Sequence, residues 1–197
     1  MIAVRRLLAV LVTALIFGMF AALIKGDHDG VRDTLGNLST PWLLIALVAG
    51  LHTRSLPRGA LLGLVATGAA LLGFYVVVAI TAHGGHLEQV LHENRRWLYS
   101  GLLSGPLLGG FGAWLQRRAP DVTLAVTAVT GLLLLLEPLV IFAAPIVPGW
   151  REVIHWHLNA GIYAAEALLG IVVLSLAWRR VQARYRERQR SANKPCR

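Results

Sequence analysis

Apolar positions in this chain collect into long, nearly continuous runs instead of alternating with polar ones at the period of an amphipathic helix or a strand. Six stretches approach the roughly 20 residues that a helix needs to cross a bilayer: residues 4–24, 33–53, 58–82, 97–115, 123–144 and 153–178. Short loops join them. The pattern predicts an all-α fold, a polytopic membrane bundle of six transmembrane helices over residues 1–178, followed by a basic tail over 179–197.

The second stretch is the least regular. Its continuous apolar part, residues 42–51, is too short to cross a bilayer. Before it stands RDTLGNLSTPW, which offers Ser39 and Thr40 as N-cap residues and Pro41 at a first-turn position. Either a half-helix begins at Pro41, or a longer helix kinks there. A half-helix would turn its N-terminal amides towards a cavity, an arrangement that suits an anionic group. Pro106 and Pro138 fall inside later stretches, so one or more proline-broken helices are expected.

Small residues recur at helical spacing. Ala14, Gly18 and Ala22 form one stripe, Gly101, Gly105 and Gly109 a second, and Gly59 with Gly63 a third. Such stripes let helix backbones approach closely, either within the chain or against a partner membrane helix. A weak repeat (STPWLL against SGPLL, then TGAALL against TGLLLL) suggests that helical hairpins two–three and four–five are copies in one orientation.

Composition agrees with the pattern. Hydrophobic residues make up 56% of the chain and charged ones 15%, with a mean hydropathy of +0.61, which excludes an ordinary soluble domain. The net charge of +9 could suit nucleic acid, but its placement points to topology instead. With the N-terminus inside, Arg5, Arg6, Arg54, Arg58, Arg117, Arg118 and the tail are cytoplasmic, while Asp27, Asp29, Asp33, Glu88, Glu93 and Glu152 fall outside. This asymmetry predicts a plasma (inner) membrane protein with both termini cytoplasmic. It makes membrane lipids, not nucleic acid, the partner of the tail RRVQARYRERQR. The first stretch lacks a small-x-small cleavage site after AALIKG and reads as a retained anchor. One cysteine, Cys196, excludes an intrachain disulfide and a cysteine metal site.

Candidate chemistry lies in two polar seams. Thr123, Thr127, Thr130, Leu134 and Glu137 are spaced 4, 3, 4 and 3, which puts three hydroxyls and a carboxyl on one helix face. Glu152, His155, Asn159, Tyr163, Glu166 and Gly170 share a face of the last stretch in the same way. An intramembrane Glu costs on the order of 2.5–3.5 kcal/mol, so it faces protein or water, where it serves a pathway or binds helices together. Aromatic residues cluster in the predicted outer half, as an interfacial belt or a pocket would require. The candidate substrate-binding set is therefore Glu137, Glu166, Asn159, Tyr163, Trp42 and Tyr75, with a small solute as ligand. No catalytic constellation and no cofactor motif stands out. The predicted outer histidines in HGGHLEQVLHE match no established metal spacing.

GNLSTPWLLIALVAG and PRGALLGLVATGAALLGFYVV resemble an uncharacterised family of small multi-span actinobacterial membrane proteins. That likeness implies a bacterial plasma membrane and no activity. The architecture also looks like the S components of energy-coupling-factor transporters, in which the Ala14, Gly18 and Ala22 stripe would meet a coupling subunit. Ser104-Gly105, with His157-Leu158 and Gly161, is similar to the serine and histidine helices of rhomboid proteases, although Leu102 stands where that family has glycine. A membrane scaffold whose seams are purely structural is the third class.

Overall fold

The structure, a computed structural model, describes residues 2–25, 30–82, 84, 86–144, 146 and 159–192. Among these residues it is entirely helical: α1 (Ile2–Lys25), α2 (Val31–Gly36), α3 (Ser39–Gly50), α4 (Leu56–Ala82), α5 (Leu87–Glu93), α6 (Arg95–Arg118), α7 (Val122–Ala143) and α8 (Ala160–Ala192). Four helices are long and apolar enough to cross a membrane, over Leu7–Lys25, Leu56–Thr81, Val122–Ala143 and Ala160–Glu187. This is the character of a membrane protein.

The other two expected spans differ for physical reasons. Segment two divides at Asn37–Leu38 into α2 and the 12-residue α3. At 1.5 Å per residue α3 is about 18 Å long, short of a hydrocarbon core of about 30 Å. α6 has 24 residues and sufficient length, but glycines, serines and Pro106 dilute its hydropathy.

α4 is the central helix and packs on α1, α3 and α6. Small residues make these contacts possible. A Cβ on Gly109 would collide with the backbone of Gly59 and Gly63, and one on Gly18 would collide with the Ala70 carbonyl. Both small-residue stripes thus meet α4 inside the chain. Around the C-terminal half of α4, Phe17, Trp42, Phe74 and Tyr75 form a column of edge-to-face rings with centroids 5.2, 5.5 and 5.4 Å apart.

α7 and α8 form an antiparallel hairpin beside this group. Gly131 packs against Leu174 and Gly170, and Gly170 against Leu134 and Leu135. At one end the Asp121 Oδ1 accepts the Leu124 N–H at 3.1 Å and caps α7, while its Oδ2 pairs with Arg184 at 2.6 Å. α8 runs unbroken past Trp178, so the basic tail begins as an extension of the last helix. The proposed repeat does not carry into packing. α3 lies against α4, whereas α6 gives its glycine face to α4 and barely touches α7.

Proline has less effect than expected. α6 continues through Pro106 and α7 through Pro138, each losing a backbone donor and not the helix. Outer faces of α1, α7 and α8 present exposed Ile, Leu and Phe side chains such as Ile16, Leu139 and Leu168.

Candidate functional site

Segment two breaks earlier than Pro41, and the expected caps do not act as caps. Ser39 and Thr40 are the first two residues of α3, and Pro41 follows in the same turn. The N-cap position is Leu38, whose side chain has no acceptor to offer. Glu137 supplies one from another helix. Its Oε1 accepts the Ser39 N–H at 2.5 Å, and its Oε2 accepts the Thr40 N–H at 2.6 Å. A carboxylate at a helix N-terminus satisfies orphan donors and meets the positive end of the helix dipole. The anion held by the half-helix is therefore the protein's own.

The second carboxylate lies opposite. On α8, Glu166 stands between Gly170, which faces Leu134 and Leu135, and Tyr163, whose ring is 6.1 Å from that of Phe142. This register brings Glu166 to the level of Glu137, and the two carboxylates interact, with Thr40 as a further polar neighbour. Glu166 is 5% exposed, yet among the described residues neither of its oxygens has an aligned hydrogen-bonding partner. The Thr40 hydroxyl, fully buried, is also without an aligned partner among them.

A cavity of about 290 Å³ opens on the other side of the same helix end. Trp42, Phe74, Tyr75 and Trp97 supply aromatic wall, and Asn37, Ser39, Thr67, Asn94, Ser100 and Ser104 supply polar groups. Lys25 is the charged side chain in the lining among the described residues. It sits 3.9 Å from Asp33 and lies over the Phe74 ring at 5.8 Å. Arg32 holds this end of α1 by donating to the Leu23 and Ile24 carbonyls at 2.8 and 2.9 Å. Ser39 thus belongs to both features, lining the cavity while its N–H binds Glu137.

The six sequence candidates separate into two groups and a lone cap. Trp42 and Tyr75 line the cavity. Glu137, Glu166 and Tyr163 are buried and do not line it. Asn159 caps α8, its Oδ1 accepting the Gly161 and Ile162 N–H groups at 3.0 and 3.3 Å, and its own N–H reaches the Thr34 hydroxyl at 3.2 Å. The threonine seam on α7 fades away from Glu137: Thr123 is exposed, and Thr127 donates to the Thr123 carbonyl at 2.8 Å. Ser104 lines the cavity and donates to the Gly101 carbonyl at 3.1 Å. His157, Glu152, His155, His28 and His83 lie outside the described residues.

Sequence reasoning passed over Arg32, Lys25 and Asp121. A cation seven residues beyond a helix end and an Asp just before an apolar run were the available signals.

The model of a family of unknown function, DUF6518, matches residues 1–185. The chain belongs to that family. No curated protein and no solved structure matches it. Membership in DUF6518 agrees with the likeness to an uncharacterised family and assigns no activity, so function has to be argued from the cavity and the carboxylates.

Proposed function

We propose that this protein is a multi-pass plasma membrane protein that captures a small solute in the cavity beside the α3 N-terminus. The observation that carries this reading is the cavity itself, about 290 Å³ with aromatic walls, several neutral polar groups and one lysine. Ligand pockets combine an apolar lining with a few placed polar groups, and this volume is at the small end of their range of about 300–1,000 Å³. The solute class is a small molecule with a flat apolar body and a polar or anionic end directed at Lys25.

Topology under this reading is six crossings with both termini cytoplasmic. α6 crosses by length, α2 and α3 together make one composite crossing, and the arginine distribution sets the direction. The cavity then opens towards the outer face, where Lys25, Asn37 and Asn94 lie. A bacterial, actinobacterial setting and an analogy with transporter S components fit this arrangement.

A second reading, a membrane scaffold, is favoured by the occupancy of Glu137, which is tied to α3 and does not face the cavity. A melting-point screen of the purified protein against small aromatic carboxylates, their neutral amides and the matching amines separates the two. Solute capture predicts that carboxylates raise the midpoint most and amines least. A midpoint indifferent to every compound contradicts capture and leaves the scaffold.

A further inference from the structure

Ionised together, the buried carboxylates would leave an unbalanced charge. Two ionised carboxylates bring two negative charges between α3 and the hairpin, and a helix N-terminus offsets about half of one. A buried charge is costly unless it is paired and hydrogen-bonded. Glu137 has its two amide donors, whereas both oxygens of Glu166 and the hydroxyl of Thr40 have no aligned partner among the described residues. These unpartnered groups are more than nine-tenths buried. Pro138, next to Glu137, has no N–H to give to the Leu134 carbonyl one turn before it.

We propose that Glu137, Glu166 and Thr40 form a buried binding site for one monovalent cation, a sodium ion or a proton, where α3 meets the α7–α8 hairpin. One added positive charge brings the local balance close to neutral. A sodium ion would take oxygen donors from Glu166, Glu137 and Thr40, the hard ligands that such an ion prefers. A proton shared by the carboxylates would let Glu166 donate to Glu137 and accept from the Thr40 hydroxyl, giving every orphan atom a partner. Transition-metal chemistry fits less well, because no third His, Cys, Asp or Glu joins the pair among the described residues. Glu137 is the titratable group facing Glu166, from α7, and Thr40 is the polar group facing it from α3. The site stands on these oxygens and holds whatever the cavity accepts.

The test uses the full chain in lipid nanodiscs with no solute present. Melting midpoints are measured in sodium, potassium and choline chloride at fixed ionic strength, at acidic and alkaline pH. A sodium site predicts a midpoint that climbs by roughly 3–5 °C for each tenfold rise in sodium above its dissociation constant, without the same response to potassium. A proton site predicts a midpoint that falls as pH rises, whichever salt is present. Either response should vanish in Glu166→Gln, whose carboxamide can donate to Glu137 without bringing a charge. Equilibrium dialysis of the unaltered protein with radioactive sodium needs no variant and counts about one ion per chain in the sodium case. A midpoint insensitive to both sodium and pH, or a response unchanged in Glu166→Gln, overturns the proposal.

Discussion

Glu137 on α7 and Thr40 on α3 are 97 residues apart in sequence, and the carboxylate of the first accepts the backbone N–H of the second at 2.6 Å. With the parallel bond from Ser39, this makes Glu137 the N-cap of a helix to which it does not belong. It is also a polar tie between the hairpin and the rest of the bundle, where α7 meets α3 and α6 only lightly.

Replacing Glu137 should therefore loosen one place before the whole. Hydrogen bonds to a charged group are worth about 1.5–3 kcal/mol each, so Glu137→Leu should cost roughly 3–5 kcal/mol, and Glu137→Gln, which keeps one acceptor, about half of that. Hydrogen exchange read residue by residue should show the Ser39 and Thr40 amides opening in Glu137→Leu while α4 stays protected. Unchanged exchange at those two amides would contradict the cap.

Packing of α4 on α6 gives a second contrast. Gly109→Leu must push against the backbone of Gly59 and Gly63 and should cost at least the 1–3 kcal/mol typical of overpacking, about the level at which assembly fails. Gly68→Ala meets open space in a helix interior and should stabilise by roughly 0.5–1 kcal/mol. Thermal midpoints of the two variants in one detergent check the ordering.

At the far end of the hairpin, Asp121 both caps α7 and pairs with Arg184. Asp121→Ala should cost about 0.5–2 kcal/mol through the lost cap, and Arg184→Ala less than about 1 kcal/mol, because the arginine side chain is exposed. A double-mutant cycle on unfolding midpoints separates the cap from the ion pair.

Much of this architecture was legible because hydropathy and helix breakers act locally. The long runs that became α1, α4, α7 and α8 read directly as helices, and the short apolar part of segment two announced a break. The half-helix was one of two readings of STPW, and Glu137 was marked by its cost in an apolar setting. What could not be read was their meeting, since no local rule pairs Leu38, a poor cap, with an acceptor 99 residues further on. The division of the candidate residues was equally hidden. Trp42 points to α1 and α4 through its ring contacts, whereas Tyr163 contacts Phe142, and one helical face cannot reveal which neighbour it meets. Pro138 was read as a break because proline removes a donor, yet the helix tolerates the loss of a single bond.

Topology has its own test. Reporter fusions after Trp178 and at Gly84 should report a cytoplasmic C-terminus and an external loop, as the arginine asymmetry requires. A C-terminus on the external side would contradict the six-crossing arrangement and place the cavity on the opposite face.

Solute capture is tested most directly by titrating the purified protein with a small aromatic carboxylate while following tryptophan emission, since Trp42 and Trp97 stand in the cavity wall. The account predicts a saturable change in emission, weakened roughly tenfold or more in Ser100→Phe, which fills the cavity from its lining, and weakened in Lys25→Gln for the carboxylate but not for its neutral amide. A saturable response that Ser100→Phe leaves unchanged, or none with any compound of this class, would contradict it.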